Sequence, residues 1–218
     1  KKKLGDSENV IFSNIRPIIH DNKIINPAFN GLFHILNIND GKLIFSDYLQ
    51  PNNKMAKIFR NNDIIANPII SDDKIYIISH SGTLASYDLN NLKLIWSVQI
   101  GGGNVPIVSG NSLFLIDNSN ILYAINAKNG KIKWIKQLDR NIEEGFYFKD
   151  IRKINFIGPF LIDNKLALFS SNGYINLIDQ INGNLLETKV FDLLGADPVF
   201  VENKLIIITS NGDLKIYK

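Results

Sequence analysis

The segment Pro68-Ile-Ile-Ser-Asp-Asp-Lys74 is the most informative part of this chain, because the 218 residues repeat it in closely related forms. A proline followed by apolar residues and a polar turn also stands at Pro17, Pro106, Pro159 and Pro198. The interval is 38 residues from Pro68 to Pro106 and 39 residues from Pro159 to Pro198. The chain is therefore an array of similar units, and each unit is too short to bury a core alone.

Three positions recur at fixed distances from each proline. Fourteen residues after it stands a residue suited to a turn: Gly31, Gly82, Asn120, Gly173 or Gly212. Twenty-four residues after it stand Gly41, Leu92, Gly130 and Gly183, and twenty-eight after it stand Phe45, Trp96, Trp134 and Glu187. A recurring glycine or asparagine indicates a backbone position with positive φ. A recurring aromatic indicates a packing anchor between units. Leu92 and Glu187 depart from the pattern, so we expect less regular packing in the second and fourth units.

Each unit contains four short strand-like segments. In the third unit these are 105–109, 112–117, 122–126 and 131–137, which are rich in β-branched and aromatic residues and are separated by turn residues. Turn pairs such as Asn129-Gly130 are typical of hairpins, so each unit is predicted to be an antiparallel four-stranded blade, with strands A to D in chain order. The sequence predicts an all-β protein, a β-propeller of radial four-stranded blades.

The predicted single domain has blades at about 22–50, 68–100, 106–138 and 159–191, and a partial blade at 198–218. Residues 9–15 are the candidate within this chain for the missing strand of the last blade, with Phe12 at the aromatic position. The ends then either meet in a five-bladed ring or form an arc of a larger ring, and periodicity leaves both open. Insertions at 50–67 and 139–157 fall between strand D and the next strand A. Because these connectors share a face with the B–C turns, that face is the predicted working surface.

Composition restricts the chemistry. The chain has no cysteine, which excludes disulfides and thiolate metal sites. Its net charge is only +3 and lysines are spread along the chain, so no nucleic-acid partner is predicted. No apolar run reaches the roughly 20 residues of a membrane span.

Catalytic groups are not recognisable in the sequence. The three histidines are His20, His34 and His80, and none has a second histidine or a carboxylate at ligand-like spacing. His80 is interpreted as a B–C turn residue, and 101–103 (Gly-Gly-Gly) as a tight D–A connector, since no helix follows it to bind phosphate. We therefore predict no catalytic, cofactor-binding or metal-binding residues, and no cofactor.

Several stretches resemble a known family. Asn67-Pro-Ile-Ile-Ser-Asp-Asp-Lys-Ile-Tyr-Ile-Ile-Ser-His-Ser-Gly82 is similar to the quinoprotein-like (PQQ-like) propeller repeat. Together with Leu94-Ile-Trp96, Gly158-Pro-Phe-Leu161 and the ending Asn211-Gly-Asp-Leu-Lys-Ile-Tyr217, it resembles more narrowly the C-terminal part of the BamB family of outer-membrane β-barrel assembly lipoproteins. The resemblance implies an eight-bladed ring at the periplasmic face of the outer membrane. It also implies a lipidated N-terminal cysteine, so the membrane anchor is absent from this chain.

The same resemblance implies a non-enzymatic scaffold that binds the POTRA domains of a BamA-like barrel protein, with unfolded outer-membrane proteins as further partners. Matching positions give Arg60 and Asp63 as the first candidate contacts, followed by Ile15 and Arg16. A second acidic position of the family is Ile65 here. Two alternatives remain: a quinoprotein resembling PQQ-dependent dehydrogenases, against which the lack of cysteines and of an acidic cluster argues, and a propeller-type stress-sensor domain.

Overall fold

The computed structural model describes residues 15–49, 62–80, 82–138, 154–201 and 204–217, apart from the side chain of Asn30. In these residues the secondary structure consists of strands and one 3-10 turn, Phe29–Gly31.

Blade 1 contains β1 (Ile18–His20), β2 (Lys23–Pro27), β3 (Leu32–Asn37) and β4 (Leu43–Tyr48). Blade 2 contains β5 (Ile69–Ser71), β6 (Lys74–Ile78), β7 (Leu84–Asp88) and β8 (Leu94–Val98). Blade 3 contains β9 (Ile107–Ser109), β10 (Ser112–Ile116), β11 (Ile121–Asn126) and β12 (Ile132–Gln137). Blade 4 contains β13 (Phe156–Ile162), β14 (Lys165–Ser170), β15 (Tyr174–Asp179) and β16 (Leu185–Val190), and blade 5 contains β17 (Val199–Val201), β18 (Lys204–Ile208) and β19 (Leu214–Tyr217).

Each blade is a separate antiparallel sheet whose strands follow in chain order. Blades 1 to 4 have four strands, and blade 5 has three in the described part of the chain. The third and fourth strands of every complete blade shift register at the same repeat position, as between Ala124 and Ile125 in blade 3. This repeated irregularity shows that the blades are copies of one local design, and the predicted all-β propeller of four-stranded blades is confirmed.

The turn between the third and fourth strands is also built the same way in each complete blade. In blade 3 the Asn126 side chain accepts the N–H of Lys128 at 2.9 Å, and the Asn129 side chain accepts the N–H of Lys131 at 3.0 Å. Between them Gly130 has a φ of 72° and donates its N–H to the carbonyl of Asn126. The expected positive φ holds at this position in all four blades, including the non-glycine Leu92 at 60°.

Buried apolar side chains fill the spaces between consecutive blades. Between blades 3 and 4, for example, Phe114, Ile116 and Leu122 pack against Leu166 and Leu168, all of which are 0% exposed. Similar clusters lie between blades 1 and 2, 2 and 3, and 4 and 5. Each blade therefore buries both of its faces only where it has a neighbour on both sides.

The repeated tryptophan and the repeated glycine meet across these spaces. Trp96 of blade 2 lies over Gly130 of blade 3, where an added Cβ would come 2.9 Å from the indole. Trp96 also donates its Nε1–H to the Ala127 carbonyl at 3.0 Å. Trp134 lies over Gly183 of blade 4 in the same way and donates to the Gln180 carbonyl at 3.2 Å. Trp96 is 8% exposed and Trp134 is partly buried, so both serve as the predicted inter-blade anchors.

The two departures from the pattern have different outcomes. Leu92 takes the position of the turn glycine and Phe45 takes that of the tryptophan, and both pack against the same buried cluster. The core residues of blade 2, Ile75 and Ile77, are 0% exposed, and the expectation of less regular packing in this blade stays a prediction. Glu187 of blade 4 is exposed.

Some predicted features lie outside the described residues. They comprise residues 9–14 of the predicted extra strand, most of both insertions, and Arg60. Ile15 is described and precedes β1 in an irregular segment. Within the described ranges, none of the chain forms a helix of the length and apolarity needed to cross a membrane.

A pair of glycine substitutions isolates the aromatic–glycine contact. Gly183→Ala and Gly41→Ala both place a side chain at positive φ, 75° and 66° respectively, which costs about 1–2 kcal/mol. Only Gly183 has an indole in the way, with Trp134 at 2.8 Å from the added Cβ, whereas Gly41 has nothing within 4 Å. In chemical denaturation we expect Gly183→Ala to lose about 1–3 kcal/mol more than Gly41→Ala. If the two variants lost equal unfolding free energy, the indole of Trp134 would be able to move aside from the added methyl group without an energetic cost.

Truncating an anchor gives a second test. Trp96→Ala removes a buried ring and its hydrogen bond, and should lower the free energy of unfolding by about 3–5 kcal/mol. The control Leu94→Ala, two residues away on the same strand and 52% exposed, should change it by less than about 1 kcal/mol. A thermal melt of Trp96→Ala that matches the wild type would contradict the anchoring role.

Candidate partner-binding face

The candidate site is the face formed by the B–C turns and the D–A connectors, which we call the connector face. A side-chain oxygen eleven residues after the proline closes the B–C turn in blades 2 to 5 by accepting the backbone N–H four residues later. The pairs are Ser79 with Thr83 (3.0 Å), Asp117 with Ile121 (2.9 Å), Ser170 with Tyr174 (3.1 Å) and Thr209 with Asp213 (3.1 Å). In blade 1 this position is Ala28, and the 3-10 turn follows it. In each of blades 2 to 5, a side-chain oxygen therefore closes the B–C turn.

Neighbouring turns are also tied to one another. Asn118, in the turn of blade 3, donates its side-chain N–H to the His80 carbonyl in the turn of blade 2 at 2.7 Å. The connector between these blades fits tightly, because a Cβ on Gly101 would lie 2.5 Å from the His80 oxygen and one on Gly102 would lie 2.8 Å from the Ile116 oxygen. The glycines at 101–103 thus allow close packing of the D–A connector, as the sequence predicts. His80 lies in the B–C turn, also as predicted.

The connector before blade 2 carries one of the predicted contacts, Asp63. It is buried, with 3% exposure, and its carbonyl accepts the His80 N–H at 2.8 Å. The neighbouring Asn62 is buried as well and donates to the Leu49 carbonyl. The carboxylate of Asp63 is thus part of the packed connector rather than an exposed rim charge. Its role as a partner contact stays a prediction.

The other described candidates lie at the start of blade 1. Arg16 is exposed, and its backbone N–H donates to the Asn67 side chain at 2.8 Å. Ile15 beside it is partly buried. Since Asn67 belongs to the same connector as Asp63, the structure brings Ile15, Arg16 and Asp63 to adjoining connectors on one face. Arg60, the fourth candidate, lies outside the described residues.

Sequence reasoning missed the residues that organise this face. Asn67 and Asn118 bridge neighbouring blades, yet neither stands at a position shared by all units. The turn-closing oxygens could have been found, because Ser79, Asp117, Ser170 and Thr209 stand at one offset from their prolines. An oxygen-bearing side chain at a fixed position before a hairpin turn is a recognisable signal.

Comparison with known proteins identifies the family to which the chain is similar. The family model described as "Outer membrane protein assembly factor BamB" matches residues 3–136, which is more than half of the chain. The chain belongs to the BamB family. This BamB-family chain is 27% identical over 193 residues to the BamB of Moranella endobia, covering 85% of this chain and 45% of the relative. It is 32% identical over 189 residues to the BamB of Aliivibrio fischeri, covering 85% and 46%. The chain therefore spans less than half the length of these curated relatives.

Solved structures support the fold. The crystal structure of BamB from Moraxella catarrhalis superposes with a TM-score of 0.80 at 15% identity, covering 97% of this chain and 60% of that one. The computationally designed Ika8 protein superposes with a TM-score of 0.63 at 13% identity, covering 92% and 57%. At these identities the likeness concerns the fold alone, which is the β-propeller expected from the sequence.

Three described side chains of the BamB-family chain, Tyr123, Asp88 and Tyr87, have pKa values shifted further from neutrality. Burial, the charge of Asp117 and a hydrogen bond to it at 3.2 Å raise the pKa of Tyr123 to about 12. Backbone N–H donors lower the pKa of Asp88, and burial raises the pKa of Tyr87. General acid–base catalysis instead requires groups tuned towards the working pH. The described residues also contain no group of three His, Asp or Glu side chains that could hold a metal ion.

The raised pKa of Tyr123 predicts that the folded protein loses stability at alkaline pH. Its phenol stays neutral in the folded protein up to about pH 12, whereas an unfolded tyrosine ionises near pH 10. The unfolded state then binds fewer protons, so this contribution to stability is complete below about pH 10 and declines as the pH rises to about 12. Tyr123→Phe should lose less unfolding free energy across this interval than the wild type. Asp117→Asn should lower the Tyr123 pKa, measured as tyrosinate absorbance, and an unchanged titration would contradict the assignment.

Proposed function

We propose that this chain forms part of a non-enzymatic scaffold in the outer-membrane protein assembly complex, at the periplasmic face of the outer membrane. The observation that carries the proposal is its membership of the BamB family, whose named relatives are outer membrane protein assembly factors. A lipid anchor outside this sequence would attach the scaffold to the membrane. The chain spans less than half the length of these relatives, so the activity of the whole relatives comes to it only as a proposal.

The partner that we propose is a BamA-like barrel protein, bound through its POTRA domains to the connector face. Hydrogen bonds within the B–C turns and between the turns of blades 2 and 3 support a preorganised surface. A surface that is already ordered loses little conformational entropy when a partner binds. Unfolded outer-membrane proteins are proposed as secondary partners.

Within this face we assign Arg16 the leading role. It is exposed, and its backbone is fixed by the hydrogen bond to Asn67, so its guanidinium projects from a defined position. Guanidinium groups form strong paired hydrogen bonds with carboxylates, which suits an acidic partner surface. Asp63 would act from beneath, by holding the His80 turn and the connector in place.

The experiment compares two charge reversals. Arg16→Glu should weaken binding to the cognate POTRA fragment at least tenfold in a calorimetric titration, because it places a negative charge at the contact. The control Lys128→Glu reverses an exposed charge in the C–D turn of blade 3, on the opposite face, and should bind as the wild type does. Both variants should keep the wild-type melting temperature. Equal affinity of Arg16→Glu and the wild type would overturn the proposed surface.

Asp63 needs a conservative substitution because it is buried. Asp63→Asn keeps the shape and removes the charge, and it should lower POTRA affinity if the carboxylate contributes directly. Asp63→Arg would instead place a larger charged group in the packed connector and lower the melting temperature, which mixes stability with binding. Affinity unchanged in Asp63→Asn, together with a tenfold loss in Arg16→Glu, would assign the contact to Arg16 alone.

An enzymatic alternative is distinguished by a simple measurement. A quinoprotein would take up pyrroloquinoline quinone with Ca²⁺ and show its absorbance after gel filtration. For the proposed scaffold we expect no retained absorbance and no change of melting temperature on adding Ca²⁺. Retention of the quinone in a one-to-one ratio would favour the dehydrogenase-like function instead.

A further inference from the structure

Lysines occur in every blade, but in blade 3 they are not balanced by acidic residues. Counted from the proline to the end of the fourth strand, blades 1, 2 and 4 each contain two lysines and three acidic residues. Blade 3 contains four lysines and one aspartate, so its net charge equals that of the whole chain, +3. The aspartate, Asp117, lies in the B–C turn at the other end of the blade. The lysines lie within nine residues of the outer strand and the turn before it: Lys128, Lys131, Lys133 and Lys136.

These four lysines have no carboxylate beside them in the part of the chain that the structure describes. In blade 1, by contrast, the Nζ of Lys42 lies 3.0 Å from the carboxylate of Asp40. The Nζ of Lys133 donates to the Ser112 hydroxyl, which leaves its charge in place. The A–B turn of blade 3 lacks an acid as well, since it has Gly110 at the fourth position after the proline. In the other complete blades this position is an aspartate: Asp21, Asp72 and Asp163.

Two isoleucines are exposed among the lysines. Ile132 and Ile135 are 53% and 61% exposed, and they pair with Ile125 and Tyr123 on the neighbouring strand. Ile125 is buried between blades 2 and 3, and Tyr123 packs against the same cluster. Both isoleucines therefore lie on one side of the blade, where blade 2 leaves more than half of each uncovered. We call these two isoleucines and the four lysines the basic rim.

The composition of the basic rim distinguishes between two kinds of partner. Lysines on an outer strand hinder the addition of a further strand, so they disfavour an extended peptide. Ammonium groups beside exposed aliphatic side chains match the boundary between anionic headgroups and acyl chains, because the lysine stems cover apolar surface while the charges stay among the headgroups. Each lysine near an anionic membrane strengthens binding roughly fivefold.

We infer that the basic rim is a peripheral membrane contact, which binds the surface of a bilayer that contains anionic lipids. Lys128 and Lys131 stand in the C–D turn, on the face opposite the connector face, so this contact leaves the connector face accessible to a protein. The inference rests on the charges and exposure of blade 3 and not on the proposed function. Its failure would leave the outcome of the Arg16→Glu experiment unchanged.

Vesicle flotation with two matched pairs of substitutions tests the inference. The probes are vesicles of phosphatidylcholine alone and of phosphatidylcholine mixed with phosphatidylglycerol. The wild-type chain should float with the mixed vesicles at low salt and be released as salt screens the charges. Lys128→Gln combined with Lys131→Gln should weaken this binding at least about tenfold. The control, Lys42→Gln combined with Lys93→Gln, removes two exposed lysines from the C–D turns of blades 1 and 2 and should bind as the wild type does.

A substitution on the apolar part of the basic rim separates membrane insertion from attraction between charges alone. Ile135→Thr keeps a β-branched side chain on the strand and should weaken binding to the mixed vesicles roughly threefold, because less apolar surface leaves water. The control Ile181→Thr changes an isoleucine that is 82% exposed in the C–D turn of blade 4, and it should not weaken binding. All variants should melt at the wild-type temperature, since the substituted side chains are exposed.

Three results would overturn the inference. The first is equal or absent binding to the two kinds of vesicle. The second is the same loss of binding in both lysine pairs, because the net charge of the chain would then be responsible rather than blade 3. The third is binding of a polyglutamate peptide without binding of the mixed vesicles, which would assign the basic rim to an acidic protein partner instead.

Discussion

The structure depends on one contact, in which the large side chain of an outer strand lies on the left-handed turn of the next blade. Trp96 over Gly130 and Trp134 over Gly183 each combine close packing with a hydrogen bond from the indole N–H. A turn residue with positive φ brings its backbone near the ring, and the absence of Cβ leaves room for the indole. This contact therefore joins blade 2 to blade 3 and blade 3 to blade 4.

The turn position and the aromatic position can vary in size together: one unit has a larger turn residue and a smaller aromatic residue. Where the turn residue is Leu92 rather than glycine, the aromatic residue of the preceding blade is Phe45 rather than tryptophan, and both pack against one buried cluster. Leu92 pays for its positive φ of 60° with backbone strain, which the packing around it compensates. Such compensation follows from the density of protein interiors, where a gain of volume on one side must be matched by a loss on the other.

The repeat also gives the B–C turns of the connector face a shared hydrogen bond. Each B–C turn from blade 2 onward satisfies its backbone N–H with a side-chain oxygen, so few polar groups remain that must find a partner by moving. Function can then reside in exposed positions such as Arg16, whose backbone is fixed by a neighbouring connector. Asp63 is buried in the same face, and its backbone carbonyl accepts the His80 N–H.

The class of fold and the turn positions can be read from the sequence alone, because strand alternation, hairpin turns and the period of 38 or 39 residues are local properties of the chain. The predicted start of blade 1 at residue 22 misses its first strand, Ile18–His20. The sequence also located the aromatic anchors Trp96 and Trp134. Three features appear only in the folded chain: Asp63 is buried, Asn67 and Asn118 bridge neighbouring blades, and Leu92 packs against the same cluster as Phe45. These features depend on contacts between residues that are far apart in sequence, which no local pattern records.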